Sequence, residues 1–176
     1  VIALEAVAHG ETPGIISHPL FFKKALLEAQ AELGEFDFVL GHSMGAGAMV
    51  MALNDGLSVK KAVFISGPAT FTEVMWRFCA SINLPKKLFS RFGQKVSELS
   101  TITEAVVDIE NLVSNLSTTG LIIHDRTDLL IPFSDGVRVA KNWKTAEFFT
   151  TDGLGHQRVL RDPAVLHKIQ NFLITN

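Results

Sequence analysis

Residues 36–53, FDFVLGHSMGAGAMVMAL, join two apolar runs through a glycine-flanked serine. The first run is short and nearly continuous, which is typical of a strand buried on both faces of a sheet. The second run is rich in small residues and favours a helix. Between them lies Gly41-His42-Ser43-Met44-Gly45, a G-x-S-x-G motif. The sequence therefore predicts a strand, a tight turn that carries Ser43, and a helix.

This arrangement is the one that a serine nucleophile needs, because a strained turn lifts its hydroxyl clear of the sheet. Gly41 and Gly45 leave room for the close backbone approach of such a turn. The amide N–H of Met44 would point from the helix start toward a developing oxyanion. The alternative is an ordinary strand–helix turn in which the Ser43 side chain caps the helix.

The rest of the chain repeats the alternation of strands and helices. Further strands are predicted at residues 1–8, 62–66, 120–124 and 146–150, and further helices at residues 17–34, 71–80, 86–99, 133–142 and 163–174. This order predicts an α/β protein with a mostly parallel sheet and helices on both faces. Since residues 71–119 lack strand patterns, we expect them to form a small helical cap on a core made of residues 1–70 and 120–176.

Composition and charge exclude several classes of protein. The chain has 176 residues, of which 47 % are hydrophobic and 19 % charged, and this composition argues against disorder. A formal net charge of −2 gives no reason to expect nucleic acid or an anionic membrane as a partner. Cys79 is the single cysteine, so no internal disulfide can form. No leader-like segment precedes an apolar stretch, and we expect a cytoplasmic protein.

Two residues that could assist a serine nucleophile follow predicted strands. Asp128 lies after the strand at 120–124, and His156 lies in a glycine-flanked loop after the strand at 146–150. Ligand sites of open α/β sheets lie at the edge formed by the carboxyl ends of the strands. The chain order Ser, Asp, His is the order in which nucleophile, acid and base occur in hydrolases built on such a sheet. Asp125 is the rival acid because it lies nearer to the strand, although loop geometry favours Asp128; the alternatives for Asp125 are that it caps the loop or pairs with Arg126. The alternative for His156 is an ordinary surface histidine.

These motifs resemble those of the α/β-hydrolase superfamily, in particular a bacterial esterase-like group of serine hydrolases, over the whole chain. The resemblance rests on an H-G pair at residues 9–10, a nucleophile elbow at residues 41–47, an acid loop at residues 124–132, and a histidine loop at residues 153–156 that is followed by the matching segment 158–163. It implies that Ser43 is the nucleophile, His156 the base and Asp128 the residue that orients the base. It also implies that no cofactor is needed and that the partner is a small-molecule ester-type substrate.

The chain departs from this family at its N-terminus. The family places another strand and an H-G-type loop before the segment that corresponds to residues 1–14, and that loop supplies the second oxyanion donor. In the family's sheet this extra strand lies between the strands that correspond to residues 1–6 and 36–40. Since unpaired buried backbone groups are costly, we expect that residues precede Val1, or that another polypeptide takes the place of the missing strand. Loss of one oxyanion donor can lower turnover about 10²–10³-fold, so the chain as given is expected to be weakly active or inactive.

Other residues allow simpler interpretations. His42, Phe71 and Trp76 are candidates to line a substrate pocket. The alternatives are that His42 only packs beside the elbow and that the aromatic residues hold the cap helices together. The histidines show no metal-ligand spacing such as H-E-x-x-H, so no metal site is predicted.

The favoured activity is hydrolysis of an ester or thioester of a small-to-medium substrate. The alternatives are a carbon–carbon hydrolase, a cofactor-free haloperoxidase, or a non-catalytic ligand-binding protein on the same scaffold. The presence of all three residue types, Ser, Asp and His, argues against the binding protein. The sequence leaves the oligomeric state open.

Overall fold

The computed structural model describes residues 1–100 and 108–175. In these two ranges, the strands β1 (Phe38–His42), β2 (Lys61–Ile65), β3 (Thr119–Asp125) and β4 (Ala146–Thr151) form one sheet. All neighbouring strands are parallel, and the order across the sheet is β1-β2-β3-β4. The sheet order therefore follows the chain order, and the carboxyl ends of all four strands lie at one edge.

The helices are α1 (Pro19–Leu33), α2 (Met44–Asn54), α3 (Phe71–Ser81), α4 (Phe89–Ser100), α5 (Ile109–Leu112), α6 (Phe133–Asn142), α7 (Gly155–Arg158) and α8 (Pro163–Ile174). Short 3₁₀ turns lie at Lys86–Leu88 and Val113–Asn115. Among the described residues, no helix has both the length and the apolar character needed to cross a membrane.

Alternating side chains of the strands build a core on each face of the sheet. Ala62 and Phe64 of β2 pack in the cluster that includes the buried side chains of α2. Val63 and Ile65 point the other way and pack with Phe172 of α8. The fold-class prediction is therefore confirmed: the protein is an α/β protein with a parallel sheet covered by helices on both faces.

The prediction of a strand at residues 1–8 was wrong. Residues 1–6 have no regular secondary structure, and a turn follows in which the His9 amide donates to the Ala6 carbonyl at 3.0 Å. Apolar, β-prone residues form a strand only when a neighbouring strand satisfies their backbone groups. Residues 1–6 pair with no strand of the sheet.

The prediction that the first strand of the motif is buried on both faces was also wrong. Val39 of β1 is buried against the α2 side of the sheet, whereas Phe38 and Leu40 are 41 % and 50 % exposed. β1 is an edge strand of the sheet formed by the described residues, because it pairs with β2 alone. The face of β1 that carries Phe38 and Leu40 is not covered by the described residues.

Ion pairs join α3, in the expected cap, to α6, in the expected core. Arg77 of α3 contacts the buried carboxylate of Asp135 at 2.9 Å, and Arg138 of α6 contacts Glu73 of α3 at 2.7 Å. Arg138 also contacts Glu110 of α5 at 2.6 Å. The division into a core and a cap at residues 71–119 stays a prediction, and residues 101–107 of that cap lie outside the described residues.

Candidate active site

Ser43 lies in a strained turn between β1 and α2. Its φ and ψ angles are 56° and −122°, a region that costs a residue other than glycine about 1–3 kcal/mol. The Ser43 amide donates to the Ile65 carbonyl at 2.9 Å, which fastens the turn to the end of β2. The Ser43 side chain makes no capping hydrogen bond to α2, and its Oγ lies 3.0 Å from Nε2 of His156. The hydroxyl therefore faces the histidine and not the helix.

The two glycines of the motif differ in their surroundings. A Cβ atom on Gly41 would lie 2.6 Å from the Gly45 carbonyl oxygen and 2.7 Å from Cα of Ala46. Both neighbours are backbone atoms, so no side chain can move aside to make room. A Cβ atom on Gly45 would meet no atom of the described residues within 4 Å. Close backbone approach therefore explains Gly41 but not Gly45.

The imidazole ring of His156 bridges Ser43 and Asp128. His156 lies in the first turn of α7, and its Nδ1 is 2.7 Å from Oδ2 of Asp128 while its Nε2 faces the serine. Because a carboxylate can only accept, Nδ1 carries a proton and Nε2 of the neutral ring is left to accept from the Ser43 hydroxyl. The ring is thus held in the tautomer that a general base requires.

Asp128 is a buried carboxylate whose two oxygens have different partners. Its Oδ1 accepts from the amides of Leu130 and Ile131, each at 2.9 Å, while Oδ2 faces His156. Burial alone raises the pKa of Asp128, but the hydrogen bonds from His156 and these amides outweigh it and hold the pKa below the usual range. Asp128 is therefore ionised at neutral pH.

Asp125 makes no hydrogen bond to the His156 ring. Its Oδ1 accepts from the Thr127 amide and hydroxyl at 2.9 and 2.6 Å and from the Gly155 amide at 2.9 Å. Its Oδ2 accepts from the Thr151 hydroxyl at 2.7 Å and from the Leu154 amide at 3.0 Å. Of the two rival acids, Asp128 contacts the histidine ring, and Asp125 contacts the backbone that leads to it.

His42 contacts both the backbone and the ring of His156. Its Nε2 donates to the His156 carbonyl at 2.9 Å, and the two ring centroids are 4.7 Å apart. Burial lowers the pKa of His42, so its ring is neutral at pH 7 and Nε2 carries the proton. This contact could not be predicted from the sequence, because the partner atom is a backbone carbonyl 114 residues away.

The other candidate pocket residues lie on α3. Phe71 is partly buried and packs on the core, where its ring lies 2.6 Å from the position that a Cβ atom on Gly47 would take. Trp76 is half exposed. The assignment of His42, Phe71 and Trp76 to a substrate pocket stays a prediction.

Met44 is the first residue of α2. Amides in the first turn of a helix have no acceptor within the helix, so the Met44 N–H is available to an anion beside Ser43. Its role as an oxyanion donor stays a prediction. In the ranges 1–100 and 108–175, no three His, Cys, Asp or Glu side chains are grouped as they are around a metal ion.

Solved structures share this architecture. An esterase from Rhodococcus sp. ECU1013 superimposes with a TM-score of 0.70 at 14 % identity, over 96 % of this chain and 78 % of its own. A meta-cleavage product hydrolase from Pseudomonas fluorescens IP01 gives 0.65 at 15 % identity, over 96 % of this chain and 77 % of its own. An esterase from Pyrococcus furiosus superimposes with a TM-score of 0.67 at 20 % identity, over 96 % of this chain and 67 % of its own.

The chain has the α/β-hydrolase fold. A scan of family models gave no match, and a search of curated proteins gave none either. At these low identities the likeness extends to the fold alone, so the chemistry of this α/β-hydrolase-fold protein must be argued from its own residues.

Proposed function

We propose that this protein is a serine hydrolase that cleaves an ester or thioester of a small-to-medium substrate. One observation carries the proposal: a single imidazole ring lies 3.0 Å from the Ser43 hydroxyl and 2.7 Å from the buried carboxylate of Asp128. A serine hydroxyl is a poor nucleophile without a base, and an imidazole fixed by a carboxylate is the common way to supply one. The strained turn that carries Ser43 adds support, because such strain gathers at functional sites.

The proposed reaction proceeds in two halves. Ser43 Oγ attacks the substrate carbonyl while His156 Nε2 takes the hydroxyl proton and then gives it to the leaving alcohol or thiol. A water molecule then attacks the acyl group on Ser43 while His156 takes a proton from the water; the acyl–Oγ bond breaks, His156 returns the proton to Ser43 Oγ, and the carboxylic acid leaves. Asp128 stabilises the imidazolium in both halves, and the Met44 amide stabilises each oxyanion. These steps need no cofactor.

A carbon–carbon hydrolase is the second candidate. The structure of the Pseudomonas fluorescens meta-cleavage product hydrolase has the same fold over 96 % of this chain, which gives this alternative support. The two reactions differ in the leaving group, which is carbon in one case and oxygen or sulfur in the other.

A cytoplasmic location stays a prediction from the sequence.

A panel of p-nitrophenyl esters of increasing acyl length tests the proposal. We expect turnover that depends on acyl length in the wild-type protein and is lost in Ser43→Ala. Ser114→Ala is the matched control, because within the described residues the Ser114 hydroxyl bonds only to the nearby Asn111 carbonyl and makes no contact with Ser43, Asp128 or His156. Hydrolysis that survives in Ser43→Ala would refute the proposal. Activity on a meta-cleavage product without activity on any ester would favour the carbon–carbon hydrolase.

A further inference from the structure

A second buried carboxylate lies beside the proposed triad without belonging to it. Asp125, the last residue of β3, has no exposed surface and accepts five hydrogen bonds. Two of the donors are the amides of Leu154 and Gly155, which directly precede His156 in the histidine loop. Two more are the amide and hydroxyl of Thr127, which directly precedes Asp128 in the acid loop. One carboxylate therefore joins both loops.

Packing alone does little to fix the glycines of the histidine loop. Gly153 and Gly155 have φ angles of 83° and 66°, and glycine has the widest conformational freedom of all residues. A Cβ atom on Gly153 would meet no described atom within 4 Å, and one on Gly155 would meet only the Thr127 carbonyl at 3.9 Å. On the exposed side, Arg158 donates to the Gly153 carbonyl at 2.5 Å. The Asp125 carboxylate is the buried anchor of this segment.

From this geometry we propose that Asp125 is a positioning residue, whose carboxylate holds the backbone before His156 and before Asp128 so that the imidazole reaches Ser43 and Asp128 together. The inference rests on the proposed hydrolase function. Displacement of a reacting group by about 1 Å can lower a rate about 10²-fold. An anchor that fixes the distances on both sides of one ring therefore affects turnover more than it affects substrate binding.

The charge of Asp125 matters as well as its shape. Burial alone raises its pKa, but the hydrogen bonds from Thr127, Thr151 and Gly155 outweigh burial and place the pKa far below the usual range. The group is thus an acceptor on both oxygens at neutral pH. A threonine hydroxyl can rotate to accept, but a backbone amide can only donate. An asparagine has one acceptor oxygen and one NH₂ group. In Asp125→Asn, the NH₂ group would therefore face the N–H of either Leu154 or Gly155, and two donors cannot form a hydrogen bond with each other.

The test compares three variants with the wild-type protein. Asp125→Asn removes one acceptor from the anchor, and Thr151→Val removes one donor while the carboxylate remains. Asp162→Asn is the matched control, because Asp162 also accepts from two backbone amides, those of Ala164 and Val165, but at the start of α8. For each variant, the thermal unfolding curve gives the folded fraction at the assay temperature, and kcat and KM on a p-nitrophenyl ester are expressed per folded molecule.

We expect Asp125→Asn to lower kcat about 10²-fold, with KM within about twofold of wild type. Thr151→Val should lower kcat only a few-fold, and Asp162→Asn should leave both constants unchanged. The proton between His156 Nδ1 and Asp128 Oδ2 gives a downfield ¹H resonance, which should be lost or shifted in Asp125→Asn and retained in Asp162→Asn. Wild-type kcat in folded Asp125→Asn, or equal losses in it and the control, would overturn the inference.

The resonance also separates this inference from the proposed function. If the wild-type protein hydrolyses no ester but the resonance is lost in Asp125→Asn alone, the function is refuted and the positioning role stands. If the wild-type protein is active and the resonance is unchanged in Asp125→Asn, the positioning role is refuted and the function stands.

Discussion

The elbow and the histidine loop each deliver one side chain to the same point, but they are held by different forces. Beyond one backbone hydrogen bond from Ser43 to Ile65, the elbow is fixed by steric contact, because Gly41 lies against the backbone of Gly45 and Ala46 and the following helix is buried along residues 46–53. The histidine loop has open space around Gly153 and is fixed by hydrogen bonds to Asp125. Packing thus positions the nucleophile, and a buried charge positions the base.

The largest effect is expected where the two regions meet, at the His156 ring. Asp128→Asn should lower kcat about 10⁴-fold, because an amide at Oδ2 can donate to Nδ1 and so favours the wrong histidine tautomer. The contrast with Asp125→Asn, where about 10²-fold is expected, separates contact with the ring from contact with its backbone. Steady-state kinetics on a p-nitrophenyl ester measures both, and equal losses would show that the two carboxylates have the same role.

A pair of glycine variants tests whether packing fixes the elbow. Gly41→Ala should destabilise the protein by at least the 1–3 kcal/mol typical of overpacking, since its neighbours are backbone atoms. Gly45→Ala is the matched control in the same motif and should cost little, because its Cβ position is open among the described residues. Urea unfolding measures both changes. Equal costs at the two positions would contradict the steric account.

The acid dependence of stability tests whether charge fixes the histidine loop. The pKa values of Asp125 and Asp128 are lowered in the folded protein, whereas an unfolded aspartate titrates near pH 3.9. Their contribution is thus complete well above pH 3.9 and is lost as the pH falls below it toward the folded pKa values. We expect the free energy of unfolding to fall with pH in this range, and to fall less steeply in Asp125→Asn. Parallel pH profiles for the two proteins would contradict this account.

Apart from the Gly45→Ala control, the smallest effect is expected at Gly153. Alanine there meets no described atom, so its cost is the backbone cost of a positive φ, about 1–2 kcal/mol. The cost of an alanine at Gly41 has a different cause, which is steric contact with neighbouring backbone atoms. Thermal unfolding of Gly153→Ala measures the effect, and a loss as large as that of Gly41→Ala would show that the histidine loop is closely packed after all.

Local sequence signals predicted the six longest helices and the four strands of the sheet, but not the four-residue helices α5 and α7. α6 and α8 begin and end at the predicted residues, because Pro132 precedes the first, and Asp162 and Pro163 mark the start of the second. The strand at residues 1–8 was predicted wrongly because strand formation depends on a partner, which local composition does not supply. The exposure of Phe38 and Leu40 could not be predicted either, because the burial of a strand's face depends on which other elements pack on it.

The candidate site divides in the same way. Motif order and loop position predicted that Ser43, Asp128 and His156 would meet, and the structure brings them within hydrogen-bond distance. The contacts of Asp125 and His42 with the histidine loop could not be predicted, because their partners in that loop are backbone amides and a backbone carbonyl far away in the sequence. Sequence patterns show which side chains are present, but backbone amides and carbonyls occur at every position and give no signal.

Fluorophosphonate labelling followed by peptide mass spectrometry tests the central claim most directly. The account predicts one label per folded molecule on Ser43, lost in His156→Ala and retained in His167→Ala, where the exposed histidine of α8 is removed instead. Labelling on another residue, or labelling of Ser43 that persists at the wild-type rate in His156→Ala, would contradict the claim that His156 activates Ser43.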